Sequence, residues 1–313
     1  MRRPALALLL ALLPHVGACA AHPVDLAAAP EAAVAPCGGP GVRVQILGSG
    51  GPIADDARAS SGALIWIDGE ARALVDCGGG VFLRFAQSGA DLEDLEVVVL
   101  THLHVDHSVD LPALLKSASF GGRRRPLTIV GPAGGDDFPG VREFVDATMG
   151  PRGAYRYLGY LGDDPPFPLE VIEVAVEGEG QRLDRGGLAL SLAPAPHGVV
   201  PALGVRVDVG DRAIAFTGDQ RLDDRRFLDR IRGVDLLVAN HAIPEGAGPA
   251  ARSLHATPSA IGAAAHESGA RHLVLAHHMA RSLRDLDGGL AEIRRRYRGP
   301  ITVAEDLTCA PIE

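Results

Sequence analysis

Positive charge is scarce in this chain of 313 residues, where 30 Lys and Arg face 39 Asp and Glu for a formal net charge of −9. Lys116 is the single lysine, an imbalance that reflects base composition and carries no functional reading. The acidic balance argues against nucleic-acid binding, which needs a basic face. Long hydrophobic runs are missing too: the N-terminal stretch Ala5–Leu13 is too short to span a bilayer. No short-period repeat, internal linker or second domain is visible. Cysteine is rare, with 4 in all. What remains is a chain 47% apolar with 39 Gly and 23 Pro, which suits a globular α/β protein with many turns.

The N-terminus reads as an export signal. Met1-Arg2-Arg3 is a short basic region, and the apolar run ends in Val16-Gly17-Ala18-Cys19. That tetrapeptide resembles a lipobox, which makes Cys19 a lipidation candidate; Ala18-Cys19-Ala20 also fits ordinary cleavage. Residues 1–19 are therefore expected to be a signal peptide and 20–41, rich in Ala, Pro and Gly, a flexible tether. A domain would follow over 42–313. The mature protein is expected outside the cytoplasm, periplasmic and lipid-anchored or secreted. Cys37 precedes the first strand and Cys309 follows the last, so the two form a disulfide in an oxidising compartment or stay as thiols. Cys77 reads as a packed thiol.

The most informative stretch is Thr101-His102-Leu103-His104-Val105-Asp106-His107, directly after the apolar run Val97–Leu100. Alternate strand residues share a face, so His102 and His104 point together. Asp106 and His107 follow as the chain turns and can reach a second metal. Three single sites lie downstream, each at the end of a predicted strand: His197, Asp219 and His277. Seven nitrogen and oxygen donors would hold two divalent ions, zinc foremost, with manganese or iron possible. Asp219 is the natural bridge, having two oxygens to share. His278 competes with His277 for the last position.

Leu47-Gly48-Ser49-Gly50, Val75-Asp76-Cys77-Gly78, His107–Pro112, Thr217-Gly218-Asp219 and His255-Ala256-Thr257 complete a pattern. Over residues 42–307 the chain resembles metallo-β-lactamase-fold hydrolases, and more narrowly the ribonuclease Z and arylsulfatase-like branch. The resemblance implies an α/β fold of four layers, αββα, with two mixed sheets inside and helices outside. It implies His102, His104 and His197 on one metal, Asp106, His107 and His277 on the other, and Asp219 between them. It also implies that His255 faces the scissile group. Asp76 either orients a ligating His or merely forms a turn. His241 stands near where the pattern has an acidic residue, and contacts ligands or substrate, or neither.

The expected chemistry is hydrolysis by a water shared between two metals. Asp106 or Asp219 would orient it, and His255 would assist the leaving group. A phosphodiester or sulfate ester is the expected substrate, with a lactone, carboxylic ester or β-lactam as the alternative. Asp219 argues against the β-lactam, because β-lactamases of this fold usually lack an Asp at the bridging position. A redox di-iron protein of this fold generally carries Glu where this chain has His104, and a non-catalytic relative would have lost ligands. Small-molecule ester, no nucleic acid, and membrane contact only through a lipid anchor are the expected partners. Homodimers are common in the family, though no residue here demonstrates one. Arg123-Arg124-Arg125 is the basic run expected near the site, and 150–168 the substrate-facing loop.

Overall fold

The computed structural model describes residues 37–312. The expected signal peptide, the lipidation candidate Cys19 and most of the expected tether lie outside them. The strands are β1 (Val42–Gly48), β2 (Gly62–Ile67), β3 (Glu70–Val75), β4 (Val97–Val99), β5 (Leu127–Pro132), β6 (Leu169–Val174) and β7 (Gln181–Arg185), followed by β8 (Leu188–Pro194), β9 (Leu203–Val209), β10 (Arg212–Phe216), β11 (Leu236–Asn240), β12 (His272–Ala276), β13 (Ile301–Val303) and β14 (Thr308–Pro311). They form two seven-stranded sheets, ordered β14-β1-β2-β3-β4-β5-β6 and β13-β12-β11-β10-β9-β8-β7. Each sheet joins a parallel half (β3 to β6; β10 to β13) to an antiparallel one.

Strand parity explains the layering. On β4, Val97 and Val99 enter the core between the sheets, while Val98 turns outward with Leu100. On β12, Val274 and Ala276 face inward and Leu273 and Leu275 outward. Such strands are buried on both faces, so they read as continuous apolar runs. The outer faces are covered by helices. α1 (Val81–Ser88), α3 (Leu111–Ala118) and α4 (Val141–Met149) pack on the first sheet, with the single turn α2 (Val105–Ser108) before α3. α5 (Arg225–Arg230), α7 (Pro258–Ser268) and α9 (Leu286–Arg294) pack on the second, with the short α6 (Pro249–Arg252) and α8 (Ala280–Leu283) between them. The result is the αββα sandwich.

Local chemistry sets the helix starts that matter for the site. Asp110 Oδ2 accepts from the backbone N–H of Gly80 (2.8 Å) and Phe82 (3.0 Å), so a residue ahead of α3 satisfies the N-terminus of α1. Thr257 caps α7, accepting from Ala260 N, and Pro258 occupies the first turn. The sheets are stitched together at one end. His278 N donates to Ser49 O (2.7 Å), Gly51 N to His278 O (2.9 Å) and Leu203 N to Thr101 O (2.8 Å). Asp306 holds the Ser49 loop by accepting from Ser49 N and Oγ, Ala59 N and Arg84 Nε. Cys37 and Cys309 are joined as a disulfide with Cα atoms 5.5 Å apart. Cys37 is fully buried, which places it in the domain rather than in a loose tether.

The irregular segment 150–168, expected to face substrate, is partly built into the core. Leu158, Tyr160 and Phe167 are buried in the outer core of the first sheet, and the Tyr160 hydroxyl donates to Leu115 O at 2.7 Å. Tyr160 and Phe167 supply packing, while Tyr155 and Tyr157 are exposed.

Candidate metal centre

The His-rich run starts after the last paired residue of β4. Thr101 and His102 are fully buried, His104 is half-buried, and Asp106 and His107 sit on α2. The loop after β3 packs so closely against this turn that a Cβ on Gly78 would lie 2.0 Å from Asp106 O; glycine is required there. Asp76, in the left-handed region at φ 62°, locks the run. Its Oδ1 accepts from Thr101 N (2.7 Å), and its Oδ2 accepts from Thr101 Oγ1 (2.9 Å) and lies 2.8 Å from His107 Nδ1. An Nδ1–H donated to Asp76 leaves His107 Nε2 free for a metal. Asp76 is a positioning group, not merely a turn former.

The second sheet sends its ligands from three strand ends. His197, beyond β8, donates Nδ1–H to Leu254 O at 2.8 Å, which turns Nε2 toward His104 Nδ1 3.3 Å away. Asp219 follows β10 through Gly218, whose φ of +57° makes the turn. His277 follows β12 at φ 54°, an uncommon conformation for a non-glycine residue.

Two groups of donor atoms result, each mutually within 4.8 Å: His102, His104, His197 and Asp219, then Asp106, His107 and His277. Asp219 belongs to both in effect. Its Oδ2 is 4.0 Å from His102 Nε2 and 3.8 Å from His107 and His197 Nε2, while Oδ1 is 3.3 Å from His277 Nε2. All seven residues foreseen as ligands therefore meet at one place. His277 faces this cluster, whereas the His278 ring turns away, with Nδ1 3.3 Å from His241 Nδ1 and Nε2 donating to Leu275 O.

His241 stands in neither donor group and does not line the cavity that opens over the ligands. It is buried against His278, and burial pushes its imidazole down to about 4. The work expected near that position belongs to its neighbour: Asn240 Nδ2 donates to Asp219 Oδ1 at 2.7 Å. The sequence signal was there, since Asn240 stands at the end of an apolar strand beside the other ligand loops.

The donors fit divalent cations. His102 Nε2 is buried without a hydrogen-bond partner among the described residues, a costly state unless a cation takes the lone pair. Burial alone would lower His107, but Asp76 beside it, with Asp219 and Asp106, raises it to about 9. The acidic cluster draws a proton to a place suited to positive charge. Burial would raise Asp219, yet the imidazoles of His277, His107, His255 and His102 hold it well below the carboxylate range. Both bridging and flanking carboxylates are thus ionised and the His102, His104 and His197 rings are biased to the neutral, ligating form.

A cavity of about 440 Å³ opens over these ligands, lined by Pro52, Ile53, Val105, Leu254, His255, Met279 and Arg281 together with His104, Asp106, His197 and Asp219. His255 Nδ1 lies 3.6 Å from Asp219 Oδ2 and has no hydrogen-bond partner among the described residues. Burial pushes its ring down to about 4, so it is neutral at pH 7. Arg281, anchored by Nε donating to Ala242 O at 3.0 Å, brings a guanidinium to the cavity. The run Arg123–Arg125 does not. Arg123 is buried with its guanidinium on the carbonyls of Leu92, Glu93, Arg125 and Pro126, and Arg125 pairs with Glu96.

A family model described as a β-lactamase superfamily domain matches residues 71–278. The chain belongs to the metallo-β-lactamase superfamily. A ribonuclease Z from Mycobacterium bovis is 32% identical over 253 residues, covering 76% of this chain and 86% of that protein. Among solved structures, the metallo-β-lactamase fold protein YhfI of Bacillus subtilis superposes with a TM-score of 0.67 at 21% identity, covering 86% of this chain and 98% of that one. The short form of human tRNase Z gives a TM-score of 0.67 at 22% identity, with 87% and 99% covered. Membership of this family makes the chain a metal-dependent hydrolase.

These relatives correct one expectation. A small-molecule ester with nucleic acid excluded does not stand beside relatives whose names place their activity on RNA. Net charge misled because it averages the whole chain, while a substrate meets one cavity. There the local field is set by Arg281 and by whatever cations the seven ligands hold.

Proposed function

We propose that this protein is a dinuclear-metal phosphodiesterase, with RNA within its substrate class. The observation that supports this reading is the cavity itself: it opens over the seven metal-type donors, four of which (His104, Asp106, His197 and Asp219) line it, with His255 and Arg281 beside them. Two divalent ions, zinc by the all nitrogen-and-oxygen donor set, would supply Lewis acidity toward a phosphoryl oxygen and a water acidic enough to attack at neutral pH. The remaining work falls to the chain. Asn240 occupies Asp219 Oδ1 and leaves Oδ2, while Asp106 Oδ2 lies 3.3 Å from His277 Nε2 and 3.5 Å from His107 Nε2; Asp219 Oδ2 or the second oxygen of Asp106 can orient the attacking water. Arg281 faces the anionic phosphoryl group. His255, neutral at pH 7, acts as an N–H donor to the developing oxyanion or leaving oxygen rather than as an imidazolium acid.

The test is a substrate panel given to the protein with zinc or manganese: bis(p-nitrophenyl) phosphate, a short RNA, p-nitrophenyl sulfate, a lactone and a cephalosporin. Chelator-sensitive turnover of the phosphodiester and the RNA is the expected result. Turnover of the lactone or the cephalosporin in their place would overturn the substrate class and leave the metal centre standing.

A further inference from the structure

His107 and His197 have Nδ1 fixed by Asp76 and by Leu254 O, but His277 Nδ1 is buried and has no hydrogen-bond partner among the described residues. At φ 54° its backbone also needs outside support. That support comes from the loop 49–61 between β1 and β2. His278, next in the chain, exchanges backbone hydrogen bonds with Ser49 (2.7 Å) and Gly51 (2.9 Å). Gly51 packs against the His277 ring so closely that a Cβ there would lie 2.9 Å from Cε1. The same loop reaches a second member of this donor group, where Ser61 N donates to Asp106 O at 3.1 Å.

The loop contains no helix or strand, so its shape is set from outside, by Asp306. This residue lies where the chain crosses from β13 in the second sheet to β14 in the first. The crossing is anchored to both sheets, by Ala304 N donating to Leu275 O (2.9 Å) and Leu307 N to Ile46 O (2.6 Å). Asp306 Oδ1 accepts from Ser49 N (3.0 Å) and Oγ (2.8 Å), and Oδ2 from Ala59 N (2.9 Å) and Arg84 Nε (3.0 Å). Both ends of the loop are thus tied to one carboxylate, only 13% exposed. Such charge-assisted bonds are roughly twice as strong as neutral ones. We propose that Asp306 is a positioning residue for the metal held by Asp106, His107 and His277, acting through the loop 49–61 on the place of His277. The other donor group is held differently, His197 by Leu254 O and His102 against Thr101 Oγ1. The inference concerns the metal centre and holds whichever ester is cleaved.

The test is zinc uptake by the full chain in competition with a chromogenic chelator. Asp306→Asn keeps the size of the side chain and replaces one accepting oxygen with a donor. It should weaken one of two zinc equivalents by about tenfold and leave the other as in wild type. In a His197→Ala background, the same substitution should weaken the equivalent that His197→Ala spares. Excess zinc should restore turnover to Asp306→Asn, a rescue that general loosening of the fold would not give. Glu305→Gln, next in the chain and 81% exposed, is the control expected to change neither quantity. If Asp306→Asn does not fold, Ser49→Ala carries the test, since it removes one of the four donors and should cause a smaller loss at the same equivalent. Wild-type affinity at both equivalents in the folded variant, or an equal loss at both, overturns the proposal. A wild-type protein silent on every phosphodiester counts against the phosphodiesterase reading alone, and the titration still decides the part played by Asp306.

Discussion

The two sheets feed one centre in opposite styles. The first sends His102, His104, Asp106 and His107 from a single turn after β4, locked from behind by Asp76. The second sends His197, Asp219 and His277 from the ends of three different strands, held by Leu254 O, Asn240 and a left-handed backbone. The first set is preorganised by one short segment. The second exists only when β8, β10 and β12 lie in register, so it depends on the completed sheet. The first half should therefore retain some metal affinity when the second is damaged, and the reverse should not hold.

Breaking the bridge gives the largest effect. Asp219→Ala removes the group shared by both donor sets, and turnover is expected to fall by about a thousandfold with loss of bound metal measured by atomic absorption. Retention of two equivalents would show that Asp219 does not join the halves. His255→Ala should cost about a hundredfold in kcat and leave metal content unchanged, because this ring faces the cavity rather than the ions. Asp76→Asn tests the lock on the first half, with metal affinity lowered about tenfold by competition titration. An equal loss from His277→Ala and from Asp76→Asn would erase the contrast between preorganised and assembled ligands.

The smallest effect is on pH dependence of the metal-free fold. His255 and His241 are held down to about 4 and His278 to about 3 by burial, against an ordinary 6.5. Between these values the unfolded chain takes up protons that the folded chain refuses, so stability falls as pH drops from 6.5 toward 4. Denaturant midpoints across that range should decline steadily. Flat midpoints would mean that these rings titrate normally in the folded protein.

The same contrast governs what could be read from the sequence. The His102–His107 run is local, and its chemistry is visible at a glance. His197, Asp219 and His277 are legible because each ends an apolar strand. Arg281 is not, since its value comes from neighbours brought by other strands and helices. Arg123–Arg125 and the aromatics of 150–168 misled for the converse reason: a charged or aromatic cluster does not say which way it faces. β7 and β14 escaped because neither is an apolar run. β7 is a half-exposed strand at a sheet edge, and β14 pairs with β1 across almost the whole chain.

That pairing ends in the Cys37–Cys309 bond, 272 residues apart in sequence. With its ends welded, the described polypeptide is topologically a ring. A single protease cut in the exposed turn at Gly186-Gly187 would leave one molecule, not two, until a reductant opened the weld. The same closure means that new ends could be placed at such a turn and the old ones sealed, giving a permuted chain with every metal ligand in its place.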